Sequence, residues 1–326
     1  MKETVLVTGA AGFIGSSLVE RLCDSGYGVV GLDNFDDFYS PAVKWSNIRS
    51  VVEREEFTLV RGDIRDQALL ARVFRENHID QVVHLAARAG VRPSLKDPAL
   101  YEEVNIFGTI NVLEESRKSG VERITFASSS SVYGTNNCVP FKEDDKVAQP
   151  ASPYAASKAA GELFCYTYNH LYHIPITALR FFTVYGPRQR PEMAIHMFTR
   201  MIDAGEEITV FGSEESQRDY TFIDDILDGI IGAMNYRHQG FHIFNLGDSR
   251  PVALGYLIQL IEKSLGKKAR IKMAALQPGD VPVTFADISK AKHLLNYQPE
   301  VSIEAGVARF GEWYRKKMAP ARLNVV

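Results

Sequence analysis

Apolar positions in the first 180 residues follow two alternating rhythms. Short runs rich in valine, isoleucine and leucine occupy 4–7, 28–32, 57–60, 81–85, 123–127 and 176–180. Between them, apolar residues recur three and four apart over 13–23, 67–74, 99–116 and 154–171, the spacing of helices with one buried face. Strand and helix in alternation predict an α/β fold with a doubly wound parallel sheet, because parallel strands need crossovers and the crossover helices cover both faces. Such sheets take ligands at the carboxyl ends of their strands. Past Phe181 the rhythm loosens into the loop Gly186-Pro187-Arg188-Gln189-Arg190-Pro191 and then mixed short strands and helices. The expected organisation is a first domain over 1–180 and a smaller mixed α/β substrate domain over 181–326. The apolar segment 241–246 is expected to return to the first sheet as a seventh strand. Segment 33–50, with Pro41 and Trp45, breaks the alternation and reads as a loop near the ligand.

Composition narrows the ligand. The 326 residues are 45% hydrophobic and 24% charged, with 37 basic and 40 acidic side chains for a net charge of −3. That is ordinary globular composition with too little positive charge for a nucleic-acid or anionic-membrane surface. A small molecule is the expected partner. No apolar run approaches a membrane span, and the first residues reach a glycine-rich turn too soon for a secretory leader, so the expected location is the cytoplasm. Cys23, Cys138 and Cys165 are too far apart in sequence for a metal knuckle and read as reduced packing residues, with no metal expected.

The first strand runs into Gly9-Ala10-Ala11-Gly12-Phe13-Ile14-Gly15 and then directly into a helix. Gly9 permits the sharp turn, Gly12 lets backbone approach a pyrophosphate, and Gly15 lets helix and strand pack closely; the amides of Phe13 and Ile14 then meet phosphate charge. The second strand ends at Asp33, about 24 residues beyond Gly9, where a carboxylate binds ribose hydroxyls and repels a 2′-phosphate. This is the fingerprint of a Rossmann-type domain that holds NAD rather than NADP. Asn34 follows Asp33 at the ribose end. Asp63, next to Ile64, either accepts from the adenine amino group or caps the helix near Asp66. The fourth strand ends in His84-Leu85-Ala86-Ala87, whose small residues leave room for the cofactor, while His84 reads as a satisfied core histidine.

Ser152-Pro153-Tyr154-Ala155-Ala156-Ser157-Lys158 opens a helix, with Ser152 as N-cap and Pro153 at its first position. Tyr154 and Lys158 are four apart and share a face. An ammonium and the positive ring of oxidised NAD would lower the phenol's pKa and make Tyr154 a base. The fifth strand ends in Ser128-Ser129-Ser130-Ser131, four hydroxyls where substrate should lie.

Together these motifs resemble the extended short-chain dehydrogenase/reductase family of nucleotide-sugar enzymes. The likeness runs through GAAGFIG, SSSSVYG, PYAASKAAGE, LRFFTVYGP, RDYTFIDD and PGDVPVTFADISKAKHLLNYQP, nearly the whole chain. It implies tightly bound NAD regenerated in each cycle, a UDP or dTDP sugar in the second domain, and a homodimer built on the helices 99–116 and 154–171. By motif, Ser129, Tyr154 and Lys158 are implied to be the catalytic serine, base and supporting lysine. Asn105 matches an asparagine that fixes this lysine and the cofactor, or else is a polar group inside a helix.

Relatives share oxidation of the sugar 4′-hydroxyl and diverge beside the catalytic serine, where dehydratases carry Asp-Glu and decarboxylases commonly carry Glu at the second place. Ser130 and Ser131 stand there in this chain, so the resemblance implies 4-epimerisation. The string FFTVYGPRQRPEMA, with Thr183 where UDP-glucose epimerases usually have Asn, is similar to UDP-glucuronate 4-epimerases. Ser130, Ser131 and Thr183 would then hold the uronate carboxylate. Arg218 matches a phosphate arginine, Arg190 and Arg92 are further cations for an anionic substrate, Asp280 matches a ribose-binding acid, and Thr209 and Phe211 match a uracil-contacting strand. Gln277 stands where many UDP-glucose epimerases have Arg. Alternatives are a UDP-glucose or UDP-N-acetylglucosamine 4-epimerase, a UDP-glucuronate decarboxylase, or a non-catalytic NAD-binding regulator. Arg88 carries no assigned role.

Overall fold

The computed structural model describes residues 3–136, 138–275 and 283–323, with side chains as far as Lys317. In chain order the strands are β1 (Thr4–Thr8), β2 (Gly28–Asp33), β3 (Phe57–Arg61), β4 (Gln81–His84), β5 (Arg123–Ser129), β6 (Ile176–Phe181), β7 (Thr183–Tyr185), β8 (Glu207–Phe211), β9 (Gln217–Phe222), β10 (Phe241–Leu246), β11 (Pro251–Ala253), β12 (Arg270–Ala274) and β13 (Val283–Thr284). Seven of them form one sheet in the order β3-β2-β1-β4-β5-β6-β10, and every neighbouring pair is parallel. The chain winds outward from β1 to β3, returns to β4 and winds the other way. The carboxyl ends of β1 and β4 therefore flank the switch point, where such sheets open a crevice.

Both faces are dry. Val5, Val7 and Val29 pack with Leu18, Val19 and Leu22 of the helix Phe13–Asp24 and with Ile226 and Ile230 of the helix Ile223–Asn235. Leu6, Val30, Val82 and Ile124 pack on the other side with Leu70, Val73 and Phe74 of the helix Gln67–Asn77 and with Val112 and Leu113. This is why the strands read as unbroken apolar runs instead of alternating ones. A second, smaller sheet is centred on β9, whose first half lies between β11 and β13 and whose second half pairs with β7; β8 and β12 form a separate parallel pair.

Three expectations change. The helix expected over 99–116 is in three pieces, with a π-turn at Glu103–Phe107 between Pro98–Glu102 and Gly108–Lys118. Asn105 sits in that wider turn, bonding outward to a neighbouring loop and helix, which accounts for a wide turn here. Segment 33–50 is not all loop, because Pro41–Ile48 is helical and Trp45 stacks on Phe35 at 4.3 Å. Cys23 and Cys165 are buried as packing residues, but Cys138 is exposed. Among the described residues no helix is long and apolar enough to cross a membrane.

His84 is fixed as a core group. The Thr8 hydroxyl lies 2.7 Å from Nδ1 and the Thr109 hydroxyl 3.0 Å from Nε2. Thr109 donates its own proton to the Asn105 carbonyl at 2.7 Å, so Nε2 must be the donor to Thr109 and Nδ1 the acceptor from Thr8. Burial, and the nearby Lys158 charge, push the imidazole down to about 3. An unfolded chain therefore takes up a proton here between about 6.5 and 3 that the folded chain refuses. The resulting stability is present above that window and is lost as pH falls through it. Urea unfolding between pH 7 and 4 should show an acid slope that His84→Asn flattens by about 1.4 kcal/mol per pH unit; equal slopes would contradict a neutral His84.

Candidate functional site

A cavity of about 400 Å³ opens at the carboxyl ends of the central strands. One wall is the glycine turn. Gly9 adopts φ +72, and a Cβ at Gly15 would stand 2.0 Å from the Gly9 carbonyl oxygen, so neither position tolerates a side chain without displacing the turn. The helix Phe13–Asp24 begins here without a side-chain cap. Gly12, Phe13, Ile14 and Gly15 all line the cavity, and the uncapped first amides of the helix offer donors and positive dipole charge to an anion.

Asp33 closes the end of β2. Its carboxylate accepts from Ala11 N at 3.0 Å and Phe35 N at 2.8 Å, with Lys44 Nζ 3.8 Å away. Each oxygen keeps an acceptor position for a ribose hydroxyl. Asn34 lines the cavity beside it and donates to Asp63 at 2.9 Å.

Asp63 departs from both roles considered for it. Asp66, not Asp63, caps the helix Gln67–Asn77 by accepting from Leu69 N. The Asp63 oxygens accept from Arg65 N, Nε and Nη2 and from Asn34 Nδ2. Burial raises its pKa, and these bonds more than offset that and hold it lowered. With four acceptor positions taken, the carboxylate has none left for an adenine amino group while Arg65 stays in place. Ile64, Leu85, Ala86 and Ala87 complete this wall.

The opposite wall carries Ser129, Ser130, Ser131, Tyr154, Lys158, Thr183 and Arg190. Ser152 caps their helix by accepting from Ala155 N at 3.1 Å, which fixes where Tyr154 and Lys158 begin. Lys158 Nζ donates to the Ala127 carbonyl at 2.7 Å, and burial lowers its pKa to about 8. The Tyr154 pKa is raised rather than lowered: burial outweighs the Ser129 hydrogen bond and the Arg190 charge. The expected lowering needs a cationic ring beside the phenol.

The serine run also divides. The Ser129 hydroxyl accepts from Ser131 N at 3.2 Å and so caps the short 3₁₀ turn Ser130–Tyr133. The Ser128 hydroxyl is committed to Glu162. Three hydroxyls, not four, remain for a ligand.

Asn105 bonds to groups other than Lys158 and does not line the cavity. Its amide bonds both backbone groups of Arg88 and donates to Ser157 Oγ at 2.9 Å, tying the loop after β4 to the helix of Tyr154. Arg92, Thr209, Phe211 and Arg218 are likewise absent from the cavity wall, although the Arg92 guanidinium lies 4.8 Å over the Phe211 ring. Asp280 and Gln277 fall outside the described residues.

Sequence reasoning missed Asp36, Phe38, Tyr39, Lys44 and Arg88, all on the wall. Phe38 lies between two cations, Arg88 at 5.0 Å and Arg190 at 5.7 Å, and Arg88 also pairs with Asp36. The aromatic cluster in the irregular segment after β2 was the available signal.

Residues 6–310 match the GDP-mannose 4,6 dehydratase family. A UDP-glucuronate 4-epimerase from Thermodesulfobacterium geofontis is 43% identical over 314 residues, 96% of each chain. The crystal structure of UDP-glucuronic acid 4-epimerase from Bacillus cereus, in complex with UDP-glucuronic acid and NAD, superposes with a TM-score of 0.91 at 38% identity, covering 96% of this chain and 99% of that one. UDP-glucose 4-epimerase from Thermotoga maritima, with UDP-glucose, gives 0.88 at 33% identity, covering 97% and 99%. The chain belongs to the GDP-mannose 4,6 dehydratase family of extended short-chain dehydrogenases/reductases.

Proposed function

We propose that this protein interconverts UDP-glucuronate and UDP-galacturonate at C4. The observation that carries the reading is the composition of one wall: Tyr154, Lys158 and Ser129 share it with three neutral hydroxyls, Ser130, Ser131 and Thr183, and with a second cation, Arg190. No carboxylate stands in the two places after Ser129, so the wall offers no acid or base there for removing water or CO₂. The UDP-glucuronate 4-epimerases from Thermodesulfobacterium geofontis and Bacillus cereus support the same substrate.

The glycine turn, the uncapped helix start and Asp33 fit a dinucleotide, with Gly9, Gly12, Phe13, Ile14, Gly15, Asp33 and Asn34 along its adenosine and pyrophosphate and Leu85, Ala86 and Ala87 beyond. When bound there, NAD would supply reversible hydride acceptance at C4 of the sugar. The Tyr154 phenolate takes the 4′-hydroxyl proton and gives it back, with Ser129 bonded to the same oxygen. The Ser129 hydrogen bond and the Arg190 charge favour the phenolate, and the Lys158 ammonium, anchored on the Ala127 carbonyl, stands on the same face of the helix. Ser130, Ser131, Thr183 and Arg190 grip the uronate carboxylate. That grip matters because a 4-keto-uronate is a β-keto acid, which loses CO₂ when the carboxylate bond aligns with the carbonyl π system. Arg92, Phe211, Thr209, Arg218 and Asp280 are assigned to the UDP end.

We also propose a cytoplasmic homodimer. The helix Pro153–Tyr172 exposes Leu163 by 69% and Tyr166 by 53%, and Phe107 on the neighbouring helix is 48% exposed. Ala155 and Gly161 pack inward instead, Gly161 against Phe126. Light scattering should give twice the chain mass for the native protein and one chain mass for Leu163→Glu; a monomeric native protein would contradict the dimer.

Purified protein given UDP-glucuronate without added NAD should form UDP-galacturonate by NMR, and Tyr154→Phe should lower the rate by about 10²–10⁴-fold. Turnover confined to UDP-glucose or UDP-N-acetylglucosamine would defeat the uronate assignment. Thr183→Val should slow epimerisation about tenfold, the loss of one hydrogen bond to a charged group, and release a decarboxylated 4-ketopentose. An unchanged rate with no leak would remove Thr183 from the carboxylate site.

A further inference from the structure

Arg180 lies on β6, one strand in from the edge of the main sheet, 1% exposed and one residue from the cavity wall. Its guanidinium makes two bonds to the Glu162 carboxylate, at 2.9 and 2.7 Å, and donates to the Glu143 carbonyl at 3.1 Å. The plane stacks 4.8 Å over the Tyr133 ring. Replacing such a buried pair with apolar side chains often leaves stability unchanged or improved, so stability alone is a poor account of it.

Its placement offers a better one. Ser128, Arg180 and Asn245 are direct partners across β5, β6 and β10, forming a polar row one residue before Ser129, Phe181 and Leu246. Asn245 extends the row: its side chain accepts from the Tyr133 hydroxyl at 2.6 Å and its backbone amide donates to Glu143 Oε1 at 2.9 Å. Glu162 lies one helical turn beyond Lys158. The helix of Tyr154 thus grips β5 at consecutive residues, Lys158 donating to the Ala127 carbonyl and Glu162 accepting from the Ser128 hydroxyl. The next residue is Ser129.

We propose that Glu162, held in place by Arg180, is the positioning residue of this site: it sets the end of β5 against the helix of Tyr154 and Lys158, and its carboxylate is the negative charge standing against the Lys158 ammonium. Glu162 touches neither substrate nor cofactor and acts through Ser128 and Lys158. The inference rests on the epimerase reading for the consequence it has on rate.

The groups that set Lys158's charge are few. Burial lowers its pKa, and Cys165 and Glu162 on its own helix oppose that. His84 on β4 couples to it and stays neutral. The Phe126 ring and the Ala127 carbonyl face it from β5. Removing the Glu162 charge takes away one of the two groups that oppose burial, and leaves the Arg180 cation without its counter-charge.

Three variants test this: Ser128→Ala, Glu162→Gln, and the apolar double variant Glu162→Leu/Arg180→Met. For each, kcat and KM for UDP-glucuronate are measured across pH, with retained NAD and melting temperature. Labelling of Lys158 by a small amine-reactive acylating reagent, followed by mass spectrometry against pH, reads its ionisation without turnover. Ser128→Ala should lower kcat about tenfold at unchanged KM and NAD content. Glu162→Gln and the double variant should move the alkaline limb of kcat and the Lys158 labelling midpoint together to lower pH, by about one unit. The double variant should keep its melting temperature and stay slow, whereas a merely structural pair predicts that it recovers. Native kcat in Ser128→Ala, or a native labelling midpoint in a folded variant lacking the Glu162 carboxylate, would overturn the proposal. If the native chain makes no epimer, the functional reading fails, and the labelling midpoints still decide whether Glu162 charges Lys158.

Discussion

A seven-stranded parallel sheet buried on both faces leaves almost nowhere for chemistry, and that constraint organises the rest of the molecule. Ladder bonds consume the backbone, and crossover helices seal both surfaces. Free amides and polar side chains survive at the carboxyl ends of the strands and the first turns of the helices that follow. The reversal of winding between β1 and β4 pulls neighbouring crossovers apart and turns that edge into a crevice. Both halves of the cavity follow from it, the glycine turn after β1 on one side and the serine run after β5 on the other.

Polar groups placed below that edge must be matched internally, and two networks do so differently. His84 is held neutral in a chain from Thr8 to Thr109 to the Asn105 carbonyl, so it adds no charge near Lys158. Glu162 and Arg180 keep their charges because each is the other's partner at short range. The first network joins β1 and β4 to the π-turn; the second joins β5, β6 and β10 to the helix of Tyr154. Asn105 links the sides, since it bonds Ser157 on that same helix and the loop that starts at Arg88. The reacting side chains thus stand on rigid elements tied below, and the ligand-facing loops close above through Phe38 between Arg88 and Arg190.

Much of this was legible because local rules sufficed. Glycines at 9, 12 and 15 after a strand have one economical use, and Tyr154 and Lys158 four apart on a helix must share a face. The family likeness supplied what spacing could not, notably the reaction. The corrections inside the site were matters of partnership. Asp63 was read either as meeting adenine or as a helix cap, yet Arg65 and Asn34 fill its oxygens and Asp66 is the cap. Ser128 looked like its neighbours, but its hydroxyl belongs to Glu162.

The sequence by itself determined the winding of the sheet, the dinucleotide turn, the place of Tyr154 and Lys158, and the absence of a carboxylate after Ser129. Each is a property of neighbours in the chain, set by periodicity, by backbone freedom at glycine or by residue identity. Which hydroxyls stay available, which acids are already paired, and which cations face the cavity depended on residues far apart in sequence: Arg180 with Glu162, Arg88 with Asp36, Asn105 with Ser157. A hydrogen-bonding group has few acceptor or donor positions, and only the folded arrangement decides who fills them.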